Sequence, residues 1–188
     1  MPRLLIVIAL LSILISLAVR WWFGLRLLKS YAELSCSSDL EKWKQTFGEI
    51  HLPTSSSADL ITYADLFRKV AMADWRERDK KSAISREGTR RFGMAVPPLT
   101  AMIVILGIMV GRITPTYAIA IFLLATAFSA VISYLSIAAE INALTISARR
   151  LRSSGIFSRR DDEDAIIQAA VALTWKEAAP PIFNLIQR

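Results

Sequence analysis

Glu140 is the residue of this chain whose type and place could carry chemistry. It follows an uncharged apolar run at 117–139, and a carboxylate at such a depth is costly unless paired, protonated or bound to a metal. Two readings are open: a functional carboxylate, or one at a membrane boundary neutralised by an arginine, with Asn142 as a polar neighbour. The spacing favours the second. The rest of the reactive inventory is thin. His51 is the single histidine and Cys36 the single cysteine, which excludes an internal disulfide and a Cys/His zinc site built from this chain alone. Ser55, Ser56 and Ser57 follow Pro53 with no base to activate them, so they read as a turn rather than a nucleophile. The sequence has no H-E-x-x-H, no G-x-S-x-G and no phosphate-cradling glycine loop. No catalytic residue, metal ligand or cofactor is therefore expected.

The elements that must position Glu140 are set by hydropathy. Of 188 residues, 54% are hydrophobic and 21% charged, a combination that works only when the apolar residues are gathered in blocks. There are three such blocks. Residues 4–19 lie between Arg3 and Arg20, near the lower limit of about 17 for spanning a bilayer, and Trp21, Trp22 and Phe23 follow as an interfacial aromatic belt. A cleaved signal peptide is the rival reading. Arg-Trp-Trp stands where a small-residue cleavage site belongs, which favours an uncleaved anchor. Residues 94–110 and 117–139 form the other two blocks, joined by Arg112 and the Thr114-Pro115-Thr116 turn. So short a link permits only an antiparallel transmembrane hairpin, with Pro97 and Pro98 near the start of its first helix.

Between the first and second blocks the chain is polar and helical in pattern. Ser35-Cys36-Ser37-Ser38-Asp39 reads as a turn and N-cap, and Ser57 or Asp59 is placed to cap a helix from about Leu60. That helix carries Leu60, Tyr63, Phe67, Val70 and Met72 on one side. After the hairpin, an acidic run at Asp161-Asp162-Glu163-Asp164 suits a helix N-terminus. The following helix, to about Ala178, is too polar for a fourth span; it packs on the hairpin or lies at the interface, and Pro180-Pro181 ends it. The expected fold is an all-α integral membrane protein: an anchor at 1–23, a cytoplasmic helical segment at 24–92, a transmembrane hairpin at 93–140 and a cytoplasmic tail at 141–188.

The formal net charge of +7 is concentrated beside the apolar blocks, where an anionic lipid surface accounts for it better than nucleic acid does. Arg20, Arg26 and Lys29 follow the first block, Arg86, Arg90 and Arg91 precede the hairpin, and Arg149, Arg150 and Arg152 follow it, while the tip has Arg112 alone. By the positive-inside rule the N-terminus and hairpin tip lie outside the inner membrane and the remainder is cytoplasmic.

Several short motifs then fall in a recognisable order. They are Lys81-Ser82-Ala83, Phe92-Gly93, Ala95-Val96-Pro97, Glu140-Ile141-Asn142-Ala143, Leu151 with Gly155-Ile156, and Ala169-Ala170-Val171-Ala172-Leu173-Thr174-Trp175. Together they resemble the neutral zinc metallopeptidases of bacterial membranes, over roughly the last two-thirds of the chain. The resemblance implies a zinc held by two histidines of an H-E-x-x-H helix and a downstream glutamate, with the intervening glutamate as general base. Aligned without gaps, Tyr63 and Phe67 stand at the two histidine positions, Ala64 at the base, and Glu140 at the downstream ligand. One ligand of three is retained, and alanine cannot move a proton. What the resemblance implies is a pseudo-peptidase that scaffolds or regulates membrane or cytoplasmic protein partners. Two alternatives stay open. One is a zinc metallopeptidase whose ligands are completed by a partner chain. The other is a small transport or channel component, disfavoured because Arg112 is the one charged residue within 94–139.

Overall fold

The computed structural model describes residues 2–48 and 56–177. His51, Ser55 and the expected Pro180-Pro181 helix stop lie outside the described residues. The first apolar block forms α1 (Pro2–Val19), which passes through a six-residue π-helical turn (Arg20–Leu25) into α2 (Arg26–Tyr31). The serine-rich stretch forms β1 (Ser35–Ser37), followed by α3 (Leu40–Phe47), β2 (Ser57–Asp59) and α4 (Leu60–Arg78). The hairpin is α5 (Lys80–Met109) and α6 (Pro115–Ser154), and α7 (Arg160–Glu177) closes the fold. Among the described residues, three helices are long and apolar enough to cross a membrane. The fold is predominantly helical, as a helical membrane protein's would be.

Local chemistry sets the helix ends. The Asp39 carboxylate accepts from the backbone N–H groups of Glu41 (3.1 Å) and Lys42 (3.2 Å), as an N-cap should. Asp59 holds the corresponding place before α4, but its side chain makes no capping bond. Asp79 separates α4 from α5 and caps the latter through Ser82 N–H at 3.0 Å. At the hairpin tip Gly111 has φ +72°, a left-handed conformation that favours glycine at the turn. Gly155, at φ +57°, ends α6 in a left-handed C-cap. The acidic residues 161–163 fall in the first turn of α7, where the helix dipole favours them.

Three features differ from the sequence expectations. Pro97 and Pro98 lie well inside α5 rather than near its start. In addition, α5 and α6 run unbroken across the expected segment boundaries at 92–93 and 140–141. At 40 residues, α6 is about 60 Å long, so a large part of it stands outside the bilayer. Finally, Ser35-Cys36-Ser37 is more than a turn: β1 pairs antiparallel with β2, with Cys36 opposite Ala58. A period of two is not visible in three residues, so the ribbon leaves no sequence signature.

Two regions hold the molecule together. Along their apolar runs α1 packs on α6 through Ala9, Ile13 and Ala127, and the Tyr134 hydroxyl donates to the Ser16 carbonyl at 2.7 Å. Ser129 on α6 donates to the Gly93 carbonyl of α5. Beyond those runs, α3, α4, α7 and the far half of α6 enclose the main core. Trp43, Tyr63, Phe67, Leu144, Leu151 and Ile166 are fully buried there. Removing one such aromatic ring costs about 3–5 kcal/mol.

Candidate functional site

Glu140 sits on α6 where that helix leaves its apolar run, and its residue surface is completely buried. Four helices meet there. From α4, Arg68 Nε donates to Glu140 Oε1 at 2.8 Å; from α7, the Thr174 hydroxyl lies 3.2 Å from the same oxygen. From α5, Arg86 Nη2 pairs with Oε2. The other edge of the Arg68 guanidinium donates to Glu177 Oε2 on α7 at 2.6 Å. Two arginines and two glutamates thus form a neutral chain of charge, which is how ionic groups become tolerable out of water. Arg68 is the hub: its planar fork serves two carboxylates at once. The same contact holds the Glu177 carboxyl below its ordinary pKa.

The positions implied by the zinc-peptidase resemblance are held in a different way. Tyr63, Ala64 and Phe67 face the core of α4 and are fully buried. The Ser38 hydroxyl donates to the Tyr63 phenol oxygen at 2.9 Å. The Tyr63 ring meets Phe157 edge-on, 5.5 Å between centroids, and Phe67 meets Phe47 at 6.2 Å, both favourable aromatic geometries. Alanine and phenylalanine offer no donor atom to a metal. Both oxygens of Glu140 face guanidinium groups, whose positive charge opposes a divalent cation at that place. These residues do not fit a zinc ion, and no step of metal chemistry follows from them. Among the described residues no three of His, Cys, Asp and Glu gather in a way that could hold a metal.

Of the other sequence candidates, Cys36 is buried in the ribbon. Burial, with the nearby Asp162 charge, pushes its thiol up to about 11, which leaves it a poor nucleophile. Asn142 is exposed on α6. A surface groove lined by Asp65, Arg68, Lys69, Met72, Ala73, Arg76 and Glu177 reaches the outer end of the ion chain, but Glu140 is not among its walls. Sequence reasoning anticipated an arginine beside Glu140 without identifying it. The available signal was Arg68 itself, a charge set directly after Phe67 on an otherwise apolar helix face.

Comparison of the chain with protein-family models, with characterised proteins and with solved structures found no match in any of the three.

Proposed function

We propose that this protein is a non-catalytic membrane protein, related in plan to the bacterial membrane zinc metallopeptidases and devoid of their metal site, that scaffolds or regulates partner proteins at the inner membrane. The observation that carries this reading is the state of Glu140. The one ligand-like residue kept from the family pattern is clamped between Arg68 and Arg86, while Tyr63 and Phe67 are committed to aromatic packing. A side chain neutralised on both oxygens is a structural anchor rather than a ligand in waiting. In the proposed topology the N-terminus and hairpin tip are outside and the α3–α4–α7 module is cytoplasmic. The basic residues on the module side, against Arg112 alone at the tip, support it.

Elemental mass spectrometry of the detergent-purified, tag-free protein, paired with a peptidase assay on an unfolded protein substrate, tests the proposal. Substoichiometric zinc and no cleavage are expected. About one zinc per chain, with cleavage abolished by Glu140→Gln, would overturn it in favour of a peptidase completed by a partner chain.

A further inference from the structure

The π-helical turn at Arg20–Leu25 carries the chain from α1 into α2, and positions four apart on it share a face. Arg20 and Gly24 are accordingly both buried. Gly24 packs so closely on α7 that a Cβ there would lie 3.0 Å from the Lys176 backbone nitrogen. The three residues between them are left to fill the outward arc. Trp21, Trp22 and Phe23 are 56%, 53% and 47% exposed, at the level where the apolar run of α1 ends.

Two cations continue that outward face. Arg26, one turn beyond Trp22, places its guanidinium carbon 4.5 Å from the centre of the Trp22 ring, and Lys29 follows a further turn out. Both are exposed. Neither has a carboxylate within ion-pair distance among the described residues, whereas Arg68, Arg86, Arg91, Arg150 and Arg152 each have one. Below Trp22 the exposed face of α1 continues through Ala18, Leu14 and Leu11. The stripe is therefore graded along its length: aliphatic, then aromatic, then cationic.

We propose that Trp22, Arg26 and Lys29 form a binding site for the headgroup of an anionic phospholipid in the leaflet adjoining the α4–α7 module. The charge is complementary and uncommitted. Indole belongs at the glycerol and headgroup level, and the Arg26 guanidinium beside the Trp22 ring has donors for a phosphate. An acyl chain then lies along Ala18, Leu14 and Leu11. Burial of Arg20 and Gly24 on one face fixes Trp21, Trp22 and Phe23 on the other. The inference depends on the membrane reading of α1 and is independent of whether the protein is an enzyme.

The test is tryptophan quenching in reconstituted vesicles by brominated phosphatidylglycerol against brominated phosphatidylcholine. The wild type is expected to prefer the anionic lipid. Arg26→Gln/Lys29→Gln is expected to lose at least about fivefold of that preference, from the contribution of a single basic residue near an anionic surface. Arg26→Lys, which keeps the charge, retains most of it, as does Arg91→Gln, whose arginine is already paired with Glu87. Equal quenching by both lipids in the wild type would overturn the proposal, as would a double variant with undiminished preference or an equal loss in Arg91→Gln. All of these positions are exposed, and retention of helical circular dichroism separates lost binding from lost folding.

Discussion

Arg68 and Glu140 are 72 positions apart and meet at 2.8 Å, with 10% and 1% of their side-chain surfaces left exposed. The pair joins the module helix α4 to the membrane helix α6, and through Arg86 and Glu177 it also takes in α5 and α7. Arg150–Asp74 and Arg152–Asp164 also tie α6 to α4 and α7, but through arginines that are more than half exposed; the Glu140 cluster is the buried tie.

Breaking that tie from one side should cost far more than removing it whole. Glu140→Gln leaves two arginines out of water with too few acceptors, and a loss of about 3–5 kcal/mol is expected for one partner of a buried ion pair. Pairing it with Arg86→Met should recover part of that loss, giving a positive coupling in a double-mutant cycle. Denaturant unfolding in mild detergent measures both. Additive losses would mean that Arg86 and Glu140 do not interact.

Glu177 and Glu163 act on the acid limb of stability with opposite signs. Arg68 holds the Glu177 carboxyl below its ordinary 4.5, so its stabilisation is complete above that range and is lost as pH falls through the lowered folded-state value. Burial raises Glu163 above 4.5, so its ionisation costs stability, and that cost disappears as pH falls through the raised value. Glu177→Gln should flatten the acid limb. Glu163→Gln should stabilise the protein at neutral pH, with the gain vanishing in acid. Melting temperatures between pH 3 and 7 read both effects, and a gain for Glu163→Gln that persists at pH 3 would contradict the assignment.

Cys36 should be silent to alkylation in the folded protein. With its thiol at about 11, about a thousandth is thiolate at pH 8, and the side chain is buried in the ribbon. Iodoacetamide should modify it only after denaturation. Rapid labelling of the native state would show that the β1–β2 ribbon opens.

That silence permits topology mapping without removing the native cysteine. Thr114→Cys at the hairpin tip should react with an impermeant maleimide in whole cells, and Ser158→Cys, in the turn between α6 and α7, should react only after lysis. The reverse pattern would invert the proposed orientation.

Gly24→Leu should loosen α7. The Cβ position already lies 3.0 Å from Lys176 N and 3.3 Å from Ala172 O, both backbone atoms that cannot move without the helix. A loss of about 1–3 kcal/mol is expected, the usual cost of overpacking, with Gly24→Ala milder. Unchanged thermal stability in Gly24→Leu would mean that the π turn and α7 are not in contact.

Much of the architecture is written in local sequence. The apolar blocks, the Thr114-Pro115-Thr116 turn, the Asp39 cap and the acidic start of α7 each depend on residues within a turn or two of one another, and hydropathy and capping chemistry are local properties. The depth of Glu140 and its need for a cation were legible for the same reason. The sequence alone therefore determined a helical membrane protein with a tight hairpin and a carboxylate that could not stand unpaired. Which cations answer that carboxylate was decided only by the fold, because Arg68 and Arg86 reach it from two other helices, and no periodicity encodes which faces meet. The same holds for the close approach of Gly24 to α7, which brings together residues about 150 positions apart. It holds too for Tyr63 and Phe67, which could be assigned to packing only once Phe47 and Phe157 were seen against them.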